Sequence, residues 1–320
     1  MKIAIVKLSA LGDIVHAMIV LQYIKKQLPH AQIDWIVEEK FMGILENNPH
    51  INTIYPICLK SNAKQLFQEY LKLKKIAKQN RYDIVLDLQG LIKSAIVARI
   101  LGHNSIGFDK NSAKESFASW WYKTSFAIAY EENVIIRNLT LVRLALKLDP
   151  FDITHKEPFL FSSTQSSLKP ELLIITGSSW ASKVYPKEHF VTIINALNVK
   201  TFVVWGNDKE EEDARYLCAH SQALMLPKMS LDELKAVIHN STLIIGADTG
   251  PTHMAWALGR SSITIFGPTP STRNTITTPI NLTIDCQQPI DARNIDKNNF
   301  CIQNINPNDI IALAKRLLSC

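Results

Sequence analysis

Asp248-Thr249-Gly250-Pro251-Thr252-His253-Met254-Ala255 follows the apolar run Leu243-Ile244-Ile245 and opens a second apolar segment. An apolar run, an acidic turn and a further apolar segment predict a strand, a tight turn and a helix. Pro251 suits the first helical turn, where a missing N–H is no loss, and Gly250 lets a ligand approach the backbone closely. Free N–H groups at such a helix start, backed by the helix dipole, make a ready site for a phosphate or pyrophosphate. The same residues also read as an ordinary turn with an N-capping Asp or Thr.

The unit recurs on both sides of this turn. Strands are expected at 172–176, 201–205, 224–226, 243–246 and 262–266, with helices at 187–197, 209–220, 230–239 and 252–258 between them. In the first half, strands at 3–7, 32–37, 53–56 and 84–88 alternate with amphipathic stretches. Among these stretches is 14–28, where Ile14, Val15, Met18, Leu21 and Ile24 fit one helical face. Strand-helix alternation implies parallel sheets covered on both faces. Between the two series, 149–170 loses periodicity and fills with Pro, Ser, Thr and Lys, which marks an interdomain linker. The expected division is 1–155, 170–305 and a C-terminal helix over 306–320.

Bulk properties narrow the class. The chain has 320 residues, 47% hydrophobic and 20% charged, with mean hydropathy +0.02, the composition of a globular protein with room for two domains. No apolar run is long enough to span a bilayer, and the start at Met1 reads as a buried strand, not a signal peptide. Five cysteines are scattered without a Cys-x-x-Cys pair, so free thiols in a reducing compartment are expected and a zinc site is not. The net charge of +6 is uneven, with Lys60, Lys64, Lys72, Lys74, Lys75, Lys78, Arg81, Lys93 and Arg99 crowded together. That crowding fits an anionic partner, although Lys72 to Lys78 also reads as the solvated face of a surface helix.

Several post-strand loops could carry chemistry. Lys7-Leu8-Ser9-Ala10-Leu11-Gly12-Asp13 joins the first strand to the first helix, where doubly wound sheets place ligands. Asp13 there is either a helix cap or a general base for an acceptor hydroxyl. Gly-x-Gly-x-x-Gly is absent, which removes the main support for a nicotinamide-dependent oxidoreductase. Gly177-Ser178-Ser179-Trp180-Ala181-Ser182-Lys183 offers hydroxyls and a lysine to a diphosphate, or is a solvated serine turn. Glu210, after Trp205-Gly206-Asn207, could accept from ribose hydroxyls or simply favour a helix N-terminus. His253 is a structural or a site residue, and Gly267-Pro268-Thr269 is a further loop or a plain turn.

Four blocks carry a resemblance: Ser9 to Ala17, Asp34 to Glu39, Asp87 to Ser94, and Asp248 to His253. Together they resemble the bacterial lipopolysaccharide heptosyltransferases, above all the type I branch, in the family's order and over almost the whole chain. The resemblance implies a GT-B fold, an α/β architecture of two Rossmann-like doubly wound domains facing across a cleft. It implies inverting transfer of L-glycero-D-manno-heptose from ADP-heptose to the first Kdo of Kdo-lipid A, with no cofactor, no metal and no nucleic-acid partner.

Carried over by position, Asp13 is the catalytic base. Ser178, Ser179 and Lys183 resemble the donor phosphate loop, Glu210 the ribose contact and Met229 the residue beside the adenine. Asp248, Thr249, Gly250 and His253 resemble the donor loop around heptose and pyrophosphate. The anionic acceptor is expected at Lys7, Ser9, Gly12, Lys60, Lys64, Lys114 and Arg137. A lipid-borne acceptor further implies a cytoplasmic protein, peripheral at the inner face of the inner membrane, with Phe117, Trp120, Trp121 and Tyr122 as contacts or as core. The rival readings are a family member adding a later sugar, the oxidoreductase, and a non-catalytic nucleotide- or nucleic-acid-binding protein fitting the pI of 8.9.

Overall fold

The computed structural model describes residues 1–59 and 62–319. They form two compact units, with the chain passing from one to the other between Phe159 and Leu160. In the first unit the order is β1 (Lys2–Val6), α1 (Leu11–Gln27), β2 (Gln32–Glu38), β3 (Thr53–Ile57), α2 (Ala63–Asn80), β4 (Ile84–Asp87), α3 (Ile92–Leu101), β5 (Ser105–Phe108), β6 (Thr124–Phe126) and α4 (Val134–Leu146). In the second it is β7 (Leu172–Ile175), α5 (Lys187–Leu197), β8 (Thr201–Val204), α6 (Asp208–His220), β9 (Leu224–Met225), α7 (Leu231–Asn240), β10 (Leu243–Ala247), α8 (Gly250–Ala257), β11 (Ser261–Phe266), α9 (Ser271–Asn274), β12 (Asn281–Asp285) and α10 (Pro307–Leu318).

Each unit holds one six-stranded sheet, ordered β3-β2-β1-β4-β5-β6 in the first and β12-β11-β10-β7-β8-β9 in the second. Every pairing is parallel. Both orders are doubly wound, with the switch point between β1 and β4 and between β7 and β10, and crevices open there beyond the carboxyl ends of the strands. The central strands are apolar on both faces because helices cover both, so Ile3 to Val6 and Leu243 to Ile245 are fully buried. Local chemistry sets the helix ends. Asn207 caps α6, Ser230 and Glu233 form a reciprocal cap on α7, and left-handed Arg81, Lys147 and Asn198 close α2, α4 and α5.

Three expectations change. The first half holds six strands where the pattern predicts four, because β5 and β6 are only four and three residues long and show no alternation. The second half holds six strands where the pattern predicts five, β12 being the addition. The expectation of free thiols fails for Cys286 and Cys301, which form a disulfide with Cα atoms 5.9 Å apart. The end of β12 and the 3-10 helix Cys301–Asn304 converge in space, although 15 residues separate the two cysteines. Among the described residues no helix is long and apolar enough to cross a membrane.

Candidate functional site

In the first unit the loops after β1, β3 and β5 share the carboxyl edge of the sheet. Asp13 sits in the first turn of α1. The N-cap Ala10 has no side-chain acceptor, and Asp13 Oδ2 takes the Ala10 N–H at 3.3 Å. The carboxylate remains exposed, so capping and access to an acceptor coexist. Ser9 and Gly12, in the same turn, are half-buried. Lys64 is exposed in the first turn of α2, and Lys114 is exposed after β5, both on this edge.

Two of the expected acceptor contacts are buried. Lys7 is buried, with Nζ donating to the Leu88 carbonyl at 2.8 Å. Arg137, on α4, is 5% exposed and donates to the carbonyls of Ile128 (2.8 Å), Ser112 (2.7 Å) and Ala129. Its planar fork lies 4.5 Å from the Phe108 ring centre and pins the chain around 128–130. Lys60 lies outside the described residues. Tyr122 is also internal, its hydroxyl donating to Asp87 at 2.7 Å, while Phe117, Trp120 and Trp121 are exposed.

The second unit gathers the donor candidates. Asp248, buried at the end of β10, is the hub. Lys183 Nζ lies 2.7 Å from Oδ2, His253 Nε2 lies 2.8 Å from Oδ1, and Thr269 Oγ1 donates to Oδ2 at 2.7 Å. Burial alone would raise this carboxyl's pKa. The Lys183 charge and the bonds from His253 and Lys183 outweigh it and hold the group well below the usual carboxylate range. Asp248 is therefore ionised and fixes Lys183 at the switch point. Ser178 Oγ reaches the Asp248 carbonyl at 3.5 Å, and Ser179 is exposed beside it. Thr249, the N-cap of α8, makes no side-chain cap bond, Pro251 has no N–H and the His253 N–H is taken by the Thr249 carbonyl, so the Gly250 and Thr252 amides are the ones this helix start leaves uncapped by Thr249.

Glu210, at the start of α6, accepts from the Gly206 N–H (2.7 Å) and Asn207 Nδ2 (2.6 Å) and lies across Gly177. A Cβ on Gly177 would stand 2.0 Å from the Glu210 carboxyl carbon. Met229 is half-buried just ahead of α7. Sheet order thus lines up four loops: Asp248 to His253 after β10, Ser178 to Lys183 after β7, Glu210 after β8, and Met229 after β9. Thr269 and Asn274 also reach Asp248, at 2.7 and 3.5 Å. No spacing rule connects them to Asp248, since they lie 21 and 26 positions along the chain from it. Among the described residues no group of three or more His, Cys, Asp or Glu side chains could hold a metal ion.

Comparison with known proteins identifies the family. The model of glycosyltransferase family 9 (heptosyltransferase) matches residues 70–296. Lipopolysaccharide heptosyltransferase 1 of Campylobacter coli is 43% identical over 99% of this chain and 99% of its own. Its namesake in Pseudomonas aeruginosa is 29% identical over 84% of this chain and 79% of its own. Among solved structures, E. coli heptosyltransferase WaaC with ADP-2-deoxy-2-fluoro heptose superposes with a TM-score of 0.79 at 24% identity, covering 99% of each chain. E. coli ADP-heptose lps heptosyltransferase II gives 0.78 at 19%, covering 100% and 99%. The fold class is GT-B. With a family model spanning most of its length and a relative at 43% identity, the chain belongs to glycosyltransferase family 9, the heptosyltransferases.

Proposed function

We propose that this heptosyltransferase moves L-glycero-D-manno-heptose from ADP-heptose to the first Kdo of Kdo-lipid A in one inverting displacement. The observation that carries the donor half is the order of loops along the second sheet. An extended sugar nucleotide laid on that edge meets Asp248 to His253 at its heptose and pyrophosphate, Ser178, Ser179 and Lys183 at its diphosphate, Glu210 at its ribose and Met229 at its adenine. Lys183 and the α8 amides offset the charge that grows on departing ADP. Asp13 takes the proton of the acceptor hydroxyl, which attacks the anomeric carbon, and a single displacement inverts that carbon.

On the acceptor side, Lys64 and Lys114 leave the first sheet at the same edge as Asp13 and suit an acidic, phosphorylated lipid. Helix α2 and the 3-10 helix Ser116–Trp121 both pack on α3. Around them Phe67 (60% exposed), Phe117 (59%) and Trp120 (77%) stand out among lysines. Aromatics with lysines suit peripheral docking on an anionic membrane surface, here the cytoplasmic face of the inner membrane. The test is an ADP-release and product-mass assay with purified chain, ADP-heptose and either Kdo-lipid A or its heptosylated form. One heptose added to Kdo-lipid A is the expected product. Transfer only to the heptosylated lipid would assign the chain to a later sugar.

A further inference from the structure

We infer that Gln89 is the positioning residue of the Asp13 turn, its carboxamide bridging the carboxyl ends of β1 and β4 across the switch point of the first sheet. This role rests on the reading of Asp13 as the base. Gln89 Oε1 accepts the N–H groups of Leu8 (2.9 Å) and Ser9 (3.2 Å), and Nε2 donates to the Ser9 carbonyl at 2.6 Å. One side chain thus satisfies three backbone groups on two consecutive residues. They lie where β1 has ended and α1, which carries Asp13, has not yet begun. The opposite flank of the turn is tied to β2, through Glu38 N–H to the Leu8 carbonyl at 3.1 Å and Trp35 Nε1 to the Lys7 carbonyl at 3.2 Å. On the β4 flank, the described hydrogen bonds of Leu8 and Ser9 all run to Gln89.

Gln89 is itself held from below. Fully buried Asp87 accepts from the Gln89 N–H (2.8 Å), the Gly90 N–H (3.3 Å), Ser94 Oγ (2.8 Å) and Tyr122 OH (2.7 Å). Gly90, at φ 71°, turns the chain away directly after Gln89, a conformation that favours glycine. The donor and acceptor pattern is specific to an amide. A glutamate of equal shape would still accept from Leu8 and Ser9 but would turn a second acceptor onto the Ser9 carbonyl, and leucine would leave all three groups unmet. A base must sit within hydrogen-bond reach of the acceptor hydroxyl, so a small displacement of this turn lowers the rate steeply without touching the donor site.

The experiment compares Gln89→Glu, Gln89→Leu, Asp13→Asn and the Asp13→Asn/Gln89→Leu double variant by transfer kinetics, ADP calorimetry and hydrogen exchange of the 8–13 segment. Gln89→Leu should lower kcat by ~10- to 100-fold, with ADP affinity unchanged and exchange of the Leu8 and Ser9 amides accelerated. The double variant should turn over no more slowly than Asp13→Asn alone, because Gln89 acts through Asp13. Losses that multiply, an unchanged kcat, or unchanged exchange at Leu8 and Ser9 would each overturn the assignment. Near-normal turnover of Asp13→Asn would instead remove the base reading, leaving the exchange measurement to decide the clamp. Should Gln89→Leu fail to fold, Gln89→Glu carries the same comparison.

Discussion

Lys183 and Asp248 hold each other at the second switch point, each side chain with a tenth or less of its surface exposed. Removing the cation therefore has two consequences. Lys183→Ala should weaken ADP and ADP-heptose binding by about 1.5–3 kcal/mol, the range for a lost charge-assisted hydrogen bond. It should also destabilise the fold by roughly 3–5 kcal/mol, because a buried carboxylate loses its ion-pair partner. Calorimetry reads the first and denaturant unfolding the second, and an unchanged ADP affinity would remove this loop from the donor site.

Acid should expose the same pair. Asp248's carboxyl titrates below its unfolded value of about 3.9. Its contribution to stability is then fully present above that value and is lost as pH falls toward the folded one. The stability gap between the parent and Asp248→Asn should stay flat from neutrality to about pH 5 and close below about pH 4. A gap that widens on acidification would mean that the buried carboxyl is not held ionised.

At the scale of elements, glycine marks where two elements meet too closely for a side chain. A Cβ on Gly246 in β10 would stand 2.7 Å from Ile175 Cβ and 2.5 Å from Thr252 Oγ1, both buried. Gly246→Ala should cost about 1–3 kcal/mol of stability, read as a lower urea midpoint, because neither neighbour can move away. At Gly177 the three atoms nearest to an added Cβ all belong to the flexible Glu210 side chain. Gly177→Ala should leave stability within roughly 1 kcal/mol of the parent while weakening ADP binding as much as Glu210→Gln does. Unchanged ADP affinity in Gly177→Ala beside a loss in Glu210→Gln would show that Glu210 serves the nucleotide equally well when displaced.

The same elements show what the sequence could reveal. The cores of β1, β2, β7, β8 and β10 are legible because a parallel strand buried on both faces writes an unbroken apolar run. The post-strand loops are legible because ligands gather at strand ends. The bonds of Gln89 to the Asp13 turn and of Thr269, itself in one of those loops, to Asp248 are not, since the partners lie about 80 and 21 residues away and only the strand order brings them together. The carbonyl partners of Arg137 are not legible either, because a basic residue seen in sequence carries no sign of whether it faces solvent or the protein's own carbonyls.

For the whole molecule, the excess of positive charge, +6 overall, would act at long range on the acidic acceptor proposed above. The acceptor KM should rise as ionic strength goes from roughly 0.05 to 0.3 M, over which the Debye length shrinks from about 14 to 6 Å. The donor KM should move less, its phosphates lying against backbone amides. Replacing Lys60 and Lys64 together should flatten the acceptor dependence and leave ADP binding alone. A double variant matching the parent in both KM and salt slope would make these lysines surface charges with no part in acceptor binding.

Single-turnover transfer by the parent and by Asp13→Asn, with the product's anomeric configuration determined, tests most directly whether Asp13 drives one inverting displacement from ADP-heptose onto Kdo-lipid A. The expected result is a heptosyl linkage of configuration opposite to the donor's and a rate for Asp13→Asn lower by ~10²-fold or more, with donor affinity unchanged. Retained configuration, or near-parental turnover in Asp13→Asn, would contradict it.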